Sequence, residues 1–127
     1  MGENKKKERD RELGRFAEKL AAEYYIKNDY AVLERNWRLN KTEIDLIVQK
    51  NDIIVFVEVK ARSGDDENPV DTVTPDKMKR MIRASDVYIR SQKGEYEYRF
   101  DIVALTGDFE NYELEVYEDA FLTSDIM

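Results

Sequence analysis

Leu13, Phe16, Ala17, Leu20, Ala21 and Tyr24 recur at three- and four-residue intervals, which predicts an amphipathic helix from about Glu8 to Lys27 with one face on a core. The polar stretch before it carries no such stripe, so residues 1–8 are expected to form a frayed tail. After Asn28-Asp29 the pattern turns to strand-like runs at about Ala31 to Trp37, Glu43 to Lys50 and Ile53 to Ala61. The run Ile53-Ile54-Val55-Phe56-Val57 is too β-branched and too short to favour a helix, and reads as a central strand covered on both sides. Asn51-Asp52 is placed to make a tight hairpin turn.

A polar loop is expected from Arg62 to Val73, with Gly64, Asp65, Asp66, Glu67, Asn68 and Pro69. Thr74-Pro75 then opens a second helix, Thr74 as its cap and Pro75 in its first position, with Met78, Met81, Ile82 and Ser85 on the buried side. Strands at Tyr98 to Leu105 and Tyr112 to Tyr117, a turn near Gly107-Asp108 and an acidic tail complete the chain. The order α-β-β-β-α-β-β predicts an α/β fold, a mixed central sheet flanked by helices, in a single domain spanning residues 1–127.

Charge matters most where it interrupts the strands. In Glu43-Ile44-Asp45-Leu46-Ile47 and Phe56-Val57-Glu58-Val59-Lys60, charged residues alternate with aliphatic ones, so each strand has an apolar and a partly charged face. A hairpin with Lys50 opposite Ile53 sets Asp45 opposite Glu58 and Glu43 opposite Lys60. On the other face it pairs Ile44 with Val59, Leu46 with Val57 and Val48 with Val55. A slip of one residue would scramble both faces. Opposed side chains in such a ladder have Cβ atoms ~5 Å apart, so Asp45 and Glu58 would repel unless something lies between them. A divalent cation would resolve the conflict, Mg²⁺ or Mn²⁺ being held by one or two carboxylates with water and phosphate completing the shell. Lys60 would then counter negative charge developing beside the metal. The alternative is a cross-strand ion pair of Glu43 with Lys60, with Asp45 and Glu58 facing solvent.

The composition narrows the chemistry. With no Cys and no His, disulfides, thiol nucleophiles, imidazole-dependent triads and the usual structural zinc are excluded, leaving carboxylates, Lys, hydroxyls and a hard metal. The net charge of −7 argues against holding nucleic acid by bulk charge, so binding would need a local basic surface. The candidates are Lys5 to Lys7 with Arg9, Arg11 and Arg15, and Lys77, Lys79, Arg80 and Arg83. Tyr24, Tyr25 and Trp37 could stack on bases but suit a core better, and Asp101 reads as a hydrogen-bonded structural acid. No apolar run approaches the ~20 residues needed to cross a bilayer and no signal peptide is visible, so a cytoplasmic protein with no membrane partner is expected.

Five short stretches, in order, carry a family resemblance. They are Gly14-Arg15-Phe16-Ala17-Glu18-Lys19-Leu20-Ala21, Glu34-Arg35-Asn36-Trp37-Arg38, Glu43 to Ile47, Phe56 to Lys60 with Arg62, and Arg99-Phe100-Asp101-Ile102-Val103. Together they resemble the YraN-like family of predicted endonucleases, which is similar in fold to archaeal Holliday junction resolvases and to restriction enzymes of the PD-(D/E)xK type. The resemblance implies a restriction-endonuclease-like αβββαβ core and a metal-dependent DNA endonuclease acting on branched or damaged DNA. It also implies a helix acid at Glu18, metal-binding acids at Asp45 and Glu58 beside the Val59 carbonyl, and a catalytic Lys60. Where that family usually has Gly before the helix acid and before the Glu-Ile-Asp triplet, this chain has Ala17 and Thr42. Ala suits a helix, whereas Thr removes the backbone freedom that Gly would give. A homodimer would suit a branched substrate, which presents two strands to cut. The alternative class is a non-catalytic module that binds nucleic acid or a repair protein; a third is an interaction protein docking through the acidic tail.

Overall fold

The computed structural model describes residues 2–62 and 69–121. Residues 63–68 of the expected loop and the last part of the acidic tail lie outside the described residues. Helix α1 (Gly2–Lys27) leads into an antiparallel meander of β1 (Ala31–Leu39), β2 (Thr42–Lys50) and β3 (Ile53–Arg62). A 3-10 turn at Pro69–Thr72 and helix α2 (Pro75–Ser91) carry the chain to β4 (Glu97–Gly107), which pairs parallel with β3, and β5 (Tyr112–Tyr117) closes the sheet. The five strands stand in sequence order in one mixed sheet, so the predicted α/β order holds.

Strand alternation sends the two sides of β3 into different layers. Val55 and Val57 pack with Leu46, Val48 and Val103 against Ala21, Ala22 and Tyr25 of α1. Ile54 and Phe56 pack with Ile47 and Phe100 against Met81, Ala84 and Tyr88 of α2. Helix α2 starts as its residues demand: Thr74 is extended, its hydroxyl accepts the Lys77 N–H at 3.2 Å, and Pro75 follows. Gly107 ends β4 at a φ of +123, and a side chain there would run into the Asn111 backbone.

Helix α1 starts at Gly2, well before the expected start near Glu8, so a helix replaces the tail expected for residues 2–8. Its first eleven residues are exposed, and Leu13 is the first to be buried. Lys, Arg and Glu are good helix formers, and acids precede bases by three or four residues at Glu3/Lys7, Glu8/Arg11 and Glu12/Arg15. An ion pair from Arg9 to Asp108 ties this turn of the helix to the β4–β5 hairpin. Arg62, expected to open a loop, is instead the last residue of β3. No helix among the described residues is long and apolar enough to cross a membrane.

Candidate active site

The β2–β3 hairpin turns on Asn51-Asp52 and keeps the predicted register from Lys50↔Ile53 to Leu46↔Val57. There the ladder stops, so Asp45 and Glu58 are not ladder partners, nor are Ile44 and Val59, nor Glu43 and Lys60. The cause is local: the Asp45 side chain accepts the Val59 N–H at 2.8 Å, a donor that a continued ladder would give to a β2 carbonyl. The break also switches faces. Ile44, expected beside Leu46 and Val48 under α1, packs instead with Ile47 and Phe56 under α2.

The strand on the other side of β2 is distorted at the same level. Asp29, Asn40, Asn51 and Asp119 take positive φ at turns, where short polar side chains tolerate it. Asn36 does so inside β1, at a φ of 51. It lies between Arg35, paired with Leu46, and Trp37, paired with Ile44, and so stands level with Asp45. Backbone in this region is strained for a residue in a strand, and such strain gathers at functional positions.

The opening holds two acids in close company. Glu58 is 4% exposed on the α2 side of β3. Asp45 has its pKa pushed up to about 9, above all by burial, then by a hydrogen bond to Glu58 and the charge of Glu58, against the pull of the Val59 N–H. At neutral pH the pair therefore carries a proton. Lys77, from the first turn of α2, forms an ion pair with Glu58 Oε2, yet that buried oxygen has no hydrogen-bond partner.

Glu18 faces the same region from α1. With Arg15, Lys19, Arg35, Asn36 and Asp45 it lines an open cleft of ≈ 190 Å³. Its pKa is raised by partial burial, then by Glu43 and Glu58, while Arg15 pulls it back. Among the described residues, however, no three acids gather closely enough to chelate an ion together, so Glu18 stands outside direct reach of the Asp45–Glu58 pair. Lys60 follows Glu58 by two residues on the same side of β3, partly buried, and makes no ion pair among the described residues. The alternative Glu43–Lys60 pair does not form, because Glu43 pairs with Arg38 across the β1–β2 hairpin at 3.6 Å.

The oxygen set suits a hard divalent cation. Two carboxylates, one buried and one half-buried, stand together with a proton and an ammonium where a single ion of charge two would serve, and one carboxylate oxygen lacks any hydrogen bond. Two protein carboxylates with the remaining positions left to a carbonyl, water and phosphate is the coordination habit of Mg²⁺.

The sequence pattern missed Lys77 and Asn36. By sequence Lys77 belongs with Lys79, Arg80 and Arg83, which are exposed on α2, and only packing of α2 on the sheet turns it inward. Asn36 left no signal beyond being an Asn within a strand. Thr42 sits in regular strand geometry opposite Leu39, with no positive φ, and Ala17 is fully buried beside Leu13 and Leu105, so both departures fit. Tyr25 is buried, Tyr24 partly so, and Trp37 packs edge-on to Tyr88 at 5.2 Å, as core residues.

The sequence model of the uncharacterised protein family UPF0102 matches residues 17–105, which include Glu18, Asp45, Glu58, Lys60 and Lys77. A protein of Flavobacterium psychrophilum is 42% identical over 111 residues, covering 87% of this chain and 93% of its own length. One of Bacteroides fragilis is 38% identical over 110 residues, covering 86% and 91%. One of Chlorobium phaeobacteroides is 37% identical over 120 residues, covering 88% and 95%. All three are named only as UPF0102 proteins.

Proposed function

This chain belongs to the uncharacterised protein family UPF0102, and from that starting point we propose that it is a metal-dependent endonuclease that hydrolyses DNA phosphodiester bonds. The observation that carries the proposal is the opened β2–β3 ladder, where half-buried Asp45 meets buried Glu58 beside an open cleft, with Lys60 two residues further on. Structural acids have no need of such a gap. The order of elements, α-β-β-β-α-β, also suits the restriction-endonuclease-like core that the sequence resemblance implies.

Asp45, Glu58 and the Val59 carbonyl would hold Mg²⁺ or Mn²⁺, and Glu18 would reach it through water. When bound, the ion polarises a phosphoryl oxygen and lowers the pKa of a coordinated water. Lys60 orients the attacking water and stabilises the charge that builds on the phosphate. Arg15, Lys19 and Arg35 around the cleft offer the local basic rim that an acidic protein needs to hold a polyanion.

A second reading, a non-catalytic nucleic-acid or repair-protein module, is favoured by one observation: Lys77 already neutralises Glu58. Single-turnover cleavage of a panel of branched and linear DNAs with Mg²⁺ or Mn²⁺ separates the two. The nuclease cuts at least one substrate, and Lys60→Met slows cutting by ~10²-fold or more while binding DNA to within a few-fold of the parent. Absence of cleavage by the parent across both metals favours the binding module, and an equally fast mutant removes Lys60 from the chemistry.

A further inference from the structure

Lys77 is in an unfavourable place for a cation. It is the third residue of α2, in the first turn, where the helix dipole disfavours positive charge. Its backbone is held there by the Thr74 cap, and its side chain turns toward the sheet to pair with Glu58. Glu58 is almost wholly buried, whereas the Lys77 side chain remains 33% exposed and so has a way out to solvent. An ammonium is a compact, strongly hydrated point charge on a flexible stem, without the fork that locks a guanidinium onto a carboxylate. The oxygen it neutralises is left without a hydrogen bond. These are the properties of a replaceable counter-ion rather than a fixed strut.

We infer that Lys77 is an exchangeable cation: it occupies Glu58 while the acid pair is empty, leaves when a divalent cation binds, and then takes a phosphate of the nucleic acid entering the site. The inference rests on the nuclease reading and adds to it a coupling between metal loading and DNA binding. Lys77 competes with the metal for Glu58, so its own release is what makes it available at the mouth of the site. By linkage, whatever strengthens one of the two binding events strengthens the other. Lys79, Arg80 and Arg83 lie exposed on the same helix, where they can extend the contact along the backbone.

The test measures Mn²⁺ affinity by calorimetry and affinity for a labelled DNA duplex with and without Ca²⁺, in the parent, Lys77→Met and Lys77→Arg. Removing the competitor should tighten Mn²⁺ binding by about 10-fold, within the usual range of such couplings. In the parent, Ca²⁺ should strengthen DNA binding by a similar factor. Lys77→Met should lose most of that gain, and Lys77→Arg should recover part of it. Thermal melts identify a variant that has not folded, in which case Lys77→Gln replaces Lys77→Met. If the parent binds Mn²⁺ and Lys77→Met binds it no more tightly, the exchange is overturned while the metal site stands. If the parent binds no Mn²⁺, the site assignment and the exchange fall together.

Discussion

Asp101 and the Asp45–Glu58 pair lie one residue apart in the sheet, since Asp101 is level with Val57; Asp101 and Glu58 are buried, and Asp45 is half-buried at the edge of the cleft. They differ in what surrounds them. Asp101 accepts from the Tyr25 hydroxyl at 2.6 Å, from Arg99 Nε and Nη2 at 3.0 and 3.2 Å, and from the Asp119 N–H at 3.0 Å. This set nearly fills the capacity of a carboxylate and binds α1, β4 and the turn after β5 together. Asp45 has one backbone N–H and its neighbouring acid, and Glu58 has an ammonium that leaves its oxygen without a hydrogen bond. Burial alone therefore does not separate an acid whose acceptor capacity is filled from one left short of donors. The count of donors does.

The largest expected effect comes from the satisfied acid. Asp101→Ala leaves the partly buried Arg99 with only the Tyr30 hydroxyl and a longer pairing to Glu118, takes the acceptor from Tyr25 and Asp119 as well, and should destabilise the fold by about 3 to 5 kcal/mol in chemical denaturation. A loss below about 1 kcal/mol would erase the contrast.

The poised pair should show itself in pH dependence. An aspartate raised to about 9 in the fold keeps a proton that the unfolded chain gives up near its ordinary value of 3.8. Its contribution is thus full at acid pH and declines as pH rises toward 9, with a slope of up to about 1.4 kcal/mol per pH unit. Metal-free Asp45→Asn should be flat through that window while the parent loses stability. Parallel curves for the two proteins would show that Asp45 is ionised like an ordinary surface acid.

Tyr25→Phe removes a single hydroxyl from the Asp101 network and keeps the ring that packs under the sheet. It should lower stability by about 1 kcal/mol. A larger loss would mean that the network depends on cooperation between its bonds more than on their number.

Much of this was legible in the chain. The Asn51-Asp52 turn with the alternation on either side predicts the hairpin, its register as far as Leu46↔Val57, and the strand on which Glu58 and Lys60 share a face. Thr74-Pro75 announced α2, because a cap is written in adjacent residues. The features that escaped depend on contacts distant in sequence. The ladder opens because the Asp45 side chain captures the Val59 N–H, and periodicity could not weigh that bond against another ladder pair. Lys77 reaches Glu58 only once α2 is docked. The early start of α1 was invisible to a search for apolar spacing, since residues 2–12 are held by charge and propensity rather than by a core.

If Asp45 and Glu58 form a cation site whereas Asp101 is scaffold, calorimetric titration of Mn²⁺ into the parent, Glu58→Gln and Tyr25→Phe will separate the two. The parent and Tyr25→Phe should each bind one ion with closely similar affinity, and Glu58→Gln should lose more than ~100-fold, beyond what an outer-shell change costs. Glu58→Gln binding Mn²⁺ as tightly as the parent, or a parent that binds none, would contradict that assignment.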